Sequence, residues 1–302
     1  MQFIHRYFGL LLLLSCMIGM MVPSFGDITP RLVMIALAFI IFCSFFQIEF
    51  SPRVLAADFK LSLQFYLIRF VLIPVVVFFV LKWFSEFYAL MMLLIFLLPA
   101  AVSSPSFTIL FGGKPDLSLK ILIYSSFLSV VSIPLIMGLL PGSLVKVNAG
   151  QLLMTMVYTI VLPFLIHLPL RKVSRVRNTI ARYNALFTLL GLGMIFIAAT
   201  SRNKPAIMGN PALVGLYAVI AILLYFILYW IGYMLMPAKP RQVKVTMSIS
   251  SGANNIGLGV TITALFFPGN MNVFFIVAQL AWVIALIPLR KIFRTGQGGT
   301  RD

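Results

Sequence analysis

Two clusters of small polar residues interrupt otherwise apolar stretches of this 302-residue chain. The first reads Pro99-Ala100-Ala101-Val102-Ser103-Ser104-Pro105-Ser106, and the second Ser248-Ile249-Ser250-Ser251-Gly252-Ala253-Asn254-Asn255-Ile256-Gly257. Hydroxyls and carboxamides donate and accept hydrogen bonds, while Gly and Pro among them break a helix. That chemistry recognises a polar solute or holds a cation weakly; it does not break bonds. Gln279 adds a carboxamide in the last apolar stretch. Arg69 places a guanidinium inside the third stretch, where burial costs about 2.5–3.5 kcal/mol on insertion scales, so such residues are usually functional. His167 lies between Pro163 and Pro169 near the end of its stretch and reads as structural.

The six acidic residues, Asp27, Glu49, Asp58, Glu86, Asp116 and Asp302, fall in loops, at stretch ends or at the C-terminus. No carboxylate is therefore placed at membrane depth to neutralise a cation or relay a proton. An intramembrane enzyme needs paired carboxylates, a Cys-His pair or a metal cluster, and the sequence offers none. Cys16 and Cys43 lie singly in the first two stretches and read as small hydrophobes. The sequence thus points away from an enzyme and implies no cofactor.

These residues are carried by a chain that is 62% hydrophobic and 10% charged, with a mean hydropathy of +1.09. A soluble domain has about a quarter charged residues. Ten apolar spans can be drawn, over 7–23, 30–48, 61–83, 87–111, 118–140, 150–170, 185–201, 213–235, 244–266 and 270–289. Each has about the 17–25 residues that a bilayer crossing requires. The expected fold is therefore all-α and polytopic. The first span, preceded by Arg6, is kept as a span rather than a cleaved signal, because nine spans would spoil the two-half pattern below.

Charge sets the orientation. With a cytoplasmic N-terminus, seventeen Lys and Arg residues fall on that side, including the run Arg171 to Arg182. Only Arg31, Lys82, Lys146, Arg202 and Lys204 fall on the other, and Arg69 lies inside a span. This positive-inside bias predicts cytoplasmic termini in a bacterial inner (plasma) membrane. The net charge of +17 then needs no nucleic acid partner; the Arg171–Arg182 run is expected in a loop beside anionic lipid headgroups. Pro141-Gly142 closes the fifth span and divides the chain into two five-helix repeats, 1–141 and 142–302, of one membrane domain. An odd number of spans per half makes the second repeat inverted relative to the first. A backbone broken at membrane depth survives only against protein or a wet cavity. Paired breaks in spans 4 and 9 of two such halves are the best sequence pointer to a carrier's binding site.

The segment from Thr246 to Gly259 resembles the ninth-span motif of the bile acid:sodium symporter family, typically S-I-E-x-G-x-Q-N-x-G-L. The run from Pro99 resembles the family's P-G-G-x-x-S-N, and Ile160-Val161-Leu162-Pro163 suits its sixth span. The resemblance implies a core bundle in which broken helices 4 and 9 cross, packed against a panel formed largely by spans 1, 2, 6 and 7. It also implies secondary active transport by alternating access.

The departures from that pattern carry information. Ser250 stands where sodium-coupled members have a glutamate, Asn254-Asn255 replaces Gln-Asn, and Ser104-Pro105 replaces Ser-Asn. Ser118 matches a span-5 hydroxyl, but the next expected one falls on Leu122. Arg69-Phe70, five residues before Pro74, takes the place of a Gln-Phe pair; a second register through Gln64-Phe65 lacks the proline. The resemblance thus leaves a degenerate sodium site of Ser104, Ser118, Ser250 and Asn254, where strong sodium coupling is not expected. Arg69 either snorkels to the cytoplasmic surface or faces the crossing as the positive charge for a solute. The expected function is transport of a small organic anion, contacted by Arg69, Ser103, Ser104, Ser106, Asn254, Asn255 and Gln279. A sodium- or proton-coupled carrier of a neutral solute, or a non-transporting receptor-like homologue, is the alternative.

Overall fold

The computed structural model describes residues 2–48, 56–140 and 147–294. Among these residues all regular elements are helical, and twelve helices can be numbered in chain order. They are α1 (Gln2–Met21), α2 (Thr29–Phe45), α3 (Phe59–Lys82), α4 (Glu86–Leu97), α5 (Ser104–Leu110), α6 (Pro115–Leu139), α7 (Ala149–Leu170), α8 (Ser174–Gly209), α9 (Pro211–Met234), α10 (Arg241–Gly252), α11 (Ile256–Phe266) and α12 (Gly269–Arg294). Seven stretches among the described residues are long and apolar enough to cross a membrane: α2 with its lead-in turn from Gly26, α3, α6, α7, α8, α9 and the part of α12 to Leu286. Shorter apolar helical stretches lie at Leu10–Met21, Glu86–Leu97 and Ile256–Phe266.

Local chemistry explains where the helices start and bend. Ser85, Asn148 and Asn210 each accept a hydrogen bond from a first-turn amide, at Tyr88, Gln151 and Leu213. Gly112, at φ 74°, adopts the left-handed conformation that ends α5. Pro74 and Pro163 lack an amide to donate, and a π-helical turn precedes each, over Leu67–Leu72 and Val157–Val161. Arg69 sits in the first of these turns.

Two sets of helices result. In one, α1 packs on α8, α8 on α2, and α2 on α7. In the other, α3 packs on α4 and α6, α9 on α10 and α12, α11 on α12, and α10 on α5 and α6. Contacts of α6 with α7, of α2 and α8 with α11, and of α8 with α12 join the sets. Gly232 lets α9 lie directly on α10, since a Cβ there would collide with Met247 O and the Cβ of Ser251. Large apolar side chains such as Leu72, Val76, Phe79 and Val80 on α3, and Val219, Leu223, Ile227 and Trp230 on α9, point outward. Exposed apolar faces of this extent suit a hydrocarbon solvent.

Two sequence expectations change. The Arg171–Arg182 run is not a loop, because α8 begins at Ser174 and continues for 36 residues. Val176 and the buried Ile180 give its first turns an inward face, while Arg175, Arg177 and Arg182 stay exposed. The breaks are also narrower than the polar clusters: Ser248 to Gly252 remain helical in α10, and Ser104 to Ser106 already belong to α5. Pro134 and Pro288 sit inside α6 and α12. The repeat junction at 141/142 lies outside the described residues.

Candidate functional site

The breaks between α4 and α5, and between α10 and α11, meet in an antiparallel bridge between Ala100 and Asn254. Ala101 N donates to Ala253 O at 2.6 Å, and Asn255 N to Pro99 O at 2.8 Å. Each broken backbone thus satisfies the other, which is what burial away from water demands. Side chains complete the accounting. Pro99 has no amide to offer Ile95 O four residues earlier, and Asn254 Nδ2 donates to that carbonyl at 2.7 Å. Ala100 N is diverted to Ser125 Oγ at 3.2 Å. Asn255 Oδ1 caps α11 by accepting from Leu258 N at 3.2 Å. Asn254 Oδ1 is buried with no hydrogen-bond partner among the described residues.

Beside this crossing is a cavity of about 660 Å³. Ser103, Ser106, Asn254, Asn255 and Gln279 all line it, together with Trp282. Its walls extend to Gln47 after α2, Asp116 at the start of α6, and Ala181 in α8. All three are exposed, so the cavity runs from the breaks to that end of the helices. The lining joins both helix sets, with Leu37, Ile40 and Ile41 of α2 and Asn184, Thr188 and Leu192 of α8 on one side. Apolar surface predominates, and polar side chains line it both at the breaks and toward the exposed end, at Gln47, Asp116, Asn184 and Thr188. Asp116 is its one charged side chain among the described residues.

Ser104 turns away from the cavity. Ser118 Oγ lies 3.4 Å from Ser104 Oγ and 3.2 Å from Ser250 Oγ, and all three residues are fully buried. Three of the four residues named for a degenerate sodium site therefore form one hydroxyl cluster. It contains no carboxylate.

Arg69 also lies off the cavity. It is fully buried, and its Nη1 donates to Phe96 O at 3.0 Å, its Nη2 to Ser251 O at 2.7 Å, and its Nε to Ser251 Oγ. It does not snorkel, and it does not line the space where a solute would sit. The register through Arg69-Phe70 is the one that faces inward, because Gln64 is exposed. His167 is buried beside Phe45, Phe46 and Phe164 and away from the cavity lining. Sequence reasoning missed Ser125, Asn184 and Thr188. Ser125 and Thr188 were visible as hydroxyls in apolar spans, whereas Asn184 fell just before the seventh span, in a segment that is in fact helix.

Two broken helices that satisfy each other's backbone at the head of a cavity mark this as a helical membrane protein with an internal polar site. The model of the sodium bile acid symporter family matches residues 34–210, more than half the chain, and the protein belongs to that family. The matched segment contains Arg69, Ser103 to Ser106 and Ser118, and ends before α9. The chain is also similar to the protein YbaS of Bacillus subtilis (strain 168), at 23% identity over 190 residues. That alignment spans 61% of this chain and 61% of YbaS.

Proposed function

We propose that the protein is a secondary carrier that moves a small amphipathic organic anion across the membrane by alternating access. The observation that supports it most is that one mostly apolar cavity has residues of both breaks in its wall. An apolar solute body would lie against Leu37, Ile40, Phe107 and Trp282. Its acidic group would meet the N-terminal end of α11, where Ile256 and Gly257 follow the Asn255 cap. Helix N-termini favour negative charge. Ser103, Ser106, Asn254, Asn255 and Gln279 would orient the group by hydrogen bonding. Ser104 and Arg69 would support the breaks from behind rather than touch the solute.

In this reading the seven long helices, α1 and the two broken pairs make ten crossings in two inverted repeats, 1–141 and 142–302, with both termini cytoplasmic. The set α1, α2, α7 and α8 is the panel, and the other set is the core that rocks against it. The hydroxyl cluster of Ser104, Ser118 and Ser250 binds sodium weakly or not at all, since it lacks an anionic ligand. The exposed Arg175, Arg177 and Arg182 would lie against anionic headgroups.

A second reading, a carrier of a neutral solute, is favoured by the absence of any basic side chain from the cavity lining among the described residues. Thermal stabilisation of the purified protein separates the two. Ligand binding raises apparent stability, so amphipathic carboxylates should stabilise more than their amides. Equal stabilisation by the amides selects the neutral solute. Binding without counterflow in proteoliposomes would leave a receptor-like protein.

A further inference from the structure

Arg69 does not line the cavity beside the crossing, yet among the described residues its hydrogen bonds go to the ends of the broken helices. Phe96 is next to last in α4, and Ser251 is next to last in α10. In an unbroken helix, Phe96 O would accept from Ala100 N and Ser251 O from Asn255 N. Here Ala100 N goes to Ser125 Oγ, and Asn255 N goes to Pro99 O. The breaks therefore free two carbonyls, each at the negative end of a helix. They converge on a single guanidinium, and Ser251 Oγ is held in place by donating to Leu228 O at 2.6 Å. The rings of Phe70 and Phe96 lie 4.8 and 5.3 Å from Arg69 Cζ, a placement that favours a cation.

Converging carbonyls at membrane depth with no carboxylate beside them are a site for a positive charge. We propose that the Arg69 guanidinium is a tethered cation, covalently supplying at the crossing the charge that a dissociable metal ion supplies in a cation-coupled carrier. The planar fork suits two carbonyls and a hydroxyl at once, which an ammonium does not match. With this charge permanently in place, the two half-helix ends close on each other without sodium. The consequence for transport rests on the carrier reading above; the assembly of the crossing does not.

The test is the thermal unfolding of purified protein at constant ionic strength, with sodium, potassium or choline as the chloride. The parent should unfold at the same temperature in all three salts. Arg69→Met, which keeps the stem and loses the charge, should unfold several degrees lower, with Arg69→Lys in between. Arg69→Ala should recover part of its loss in low-millimolar guanidinium chloride, but not in equal urea, which has the same shape without the charge. Sodium-dependent stability of the parent would overturn the proposal, and that arm needs no variant. Arg69→Met as stable as the parent would overturn it too, as would equal rescue of Arg69→Ala by urea. None of these measurements involves a solute. Failure to find any carried solute would sink the carrier reading and leave the tethered cation standing.

Discussion

Asn203 Nδ2 on α8 donates to Asn272 Oδ1 on α12 at 2.6 Å, and both residues are buried. Asn272 Nδ2 donates in turn to Thr263 Oγ1 at 2.7 Å and to Val260 O at 3.0 Å, which ties the pair to α11. The link joins the two helix sets at the end of α8 opposite Ala181, where the cavity reaches the surface. The cavity thus reaches the surface at one end of the helices, and a polar contact ties the two sets together toward the other. A carboxamide pair so buried is costly to leave half-satisfied, so it should hold one arrangement of the sets against the other.

Under the proposed alternating access, breaking that contact should shift the protein toward its other face. Asn272→Leu leaves Asn203 Nδ2 with Ala199 O alone, and should favour separation of α8 from α12. In a background with Cys16 and Cys43 replaced by Ala, a cysteine at Ser106 should then react faster with an impermeant reagent applied outside. Conversely, Asn203→Cys with Asn272→Cys should crosslink and stop uptake until reduced. Unchanged labelling of the Ser106 cysteine in Asn272→Leu would show that this contact is not a gate.

The orientation can be read independently of any solute. Lys204 and Ser174 lie toward opposite ends of α8, and the proposed orientation puts Ser174 with the basic residues on the cytoplasmic side. A cysteine at Lys204 should label from outside in intact cells, and one at Ser174 only after permeabilisation. The reverse pattern would invert the topology and the direction in which the cavity opens.

Where the sequence spoke clearly, it did so through local chemistry. Pro99 and the Gly252 to Asn255 run predict breaks because they cannot continue a helix, and both breaks are present. The length of α8 was hidden because a basic run outside an apolar core reads as a loop, although its spacing of Val176 and Ile180 is helical. Arg69 was visible as a buried charge, but its partners were not. Ser251 lies 182 residues away, and which carbonyls the breaks free depends on where Ala100 N and Asn255 N are diverted. An apolar pattern reports which face is buried; it does not report which backbone groups are left over when two helices break each other.

Sodium sensitivity should be created by restoring one acid. Ser250 is fully buried with its Oγ 3.2 Å from Ser118 Oγ, so Ser250→Glu would place a carboxylate beside the Ser104 and Ser118 hydroxyls. An anionic ligand among oxygen donors is what the cluster lacks for a hard cation. Binding or unfolding temperature should become sodium-dependent relative to potassium, provided the new carboxylate is not captured by Arg69. If it is captured, Ser250→Glu with Arg69→Gln should show the dependence. Sodium indifference of both variants would mean that these hydroxyls are a packing feature only.

Asn255 separates support of the fold from recognition of the solute. Its Oδ1 caps α11 through Leu258 N, its amide is held by Pro99 O, and it lines the cavity. Asn255→Ala should cost about 1 kcal/mol through loss of the cap, seen as a lower unfolding temperature. Asn255→Asp keeps a capping oxygen and suits the positive helix end, so stability should be near that of the parent. It also sets a negative charge where the acidic group of the solute is proposed to sit. Affinity for a carboxylate should therefore fall at least tenfold, about 1.4 kcal/mol, while its neutral amide should bind as before. If Asn255→Asp weakens both ligands equally, the solute's acidic group does not lie at the N-terminal end of α11, and the neutral-solute reading takes its place.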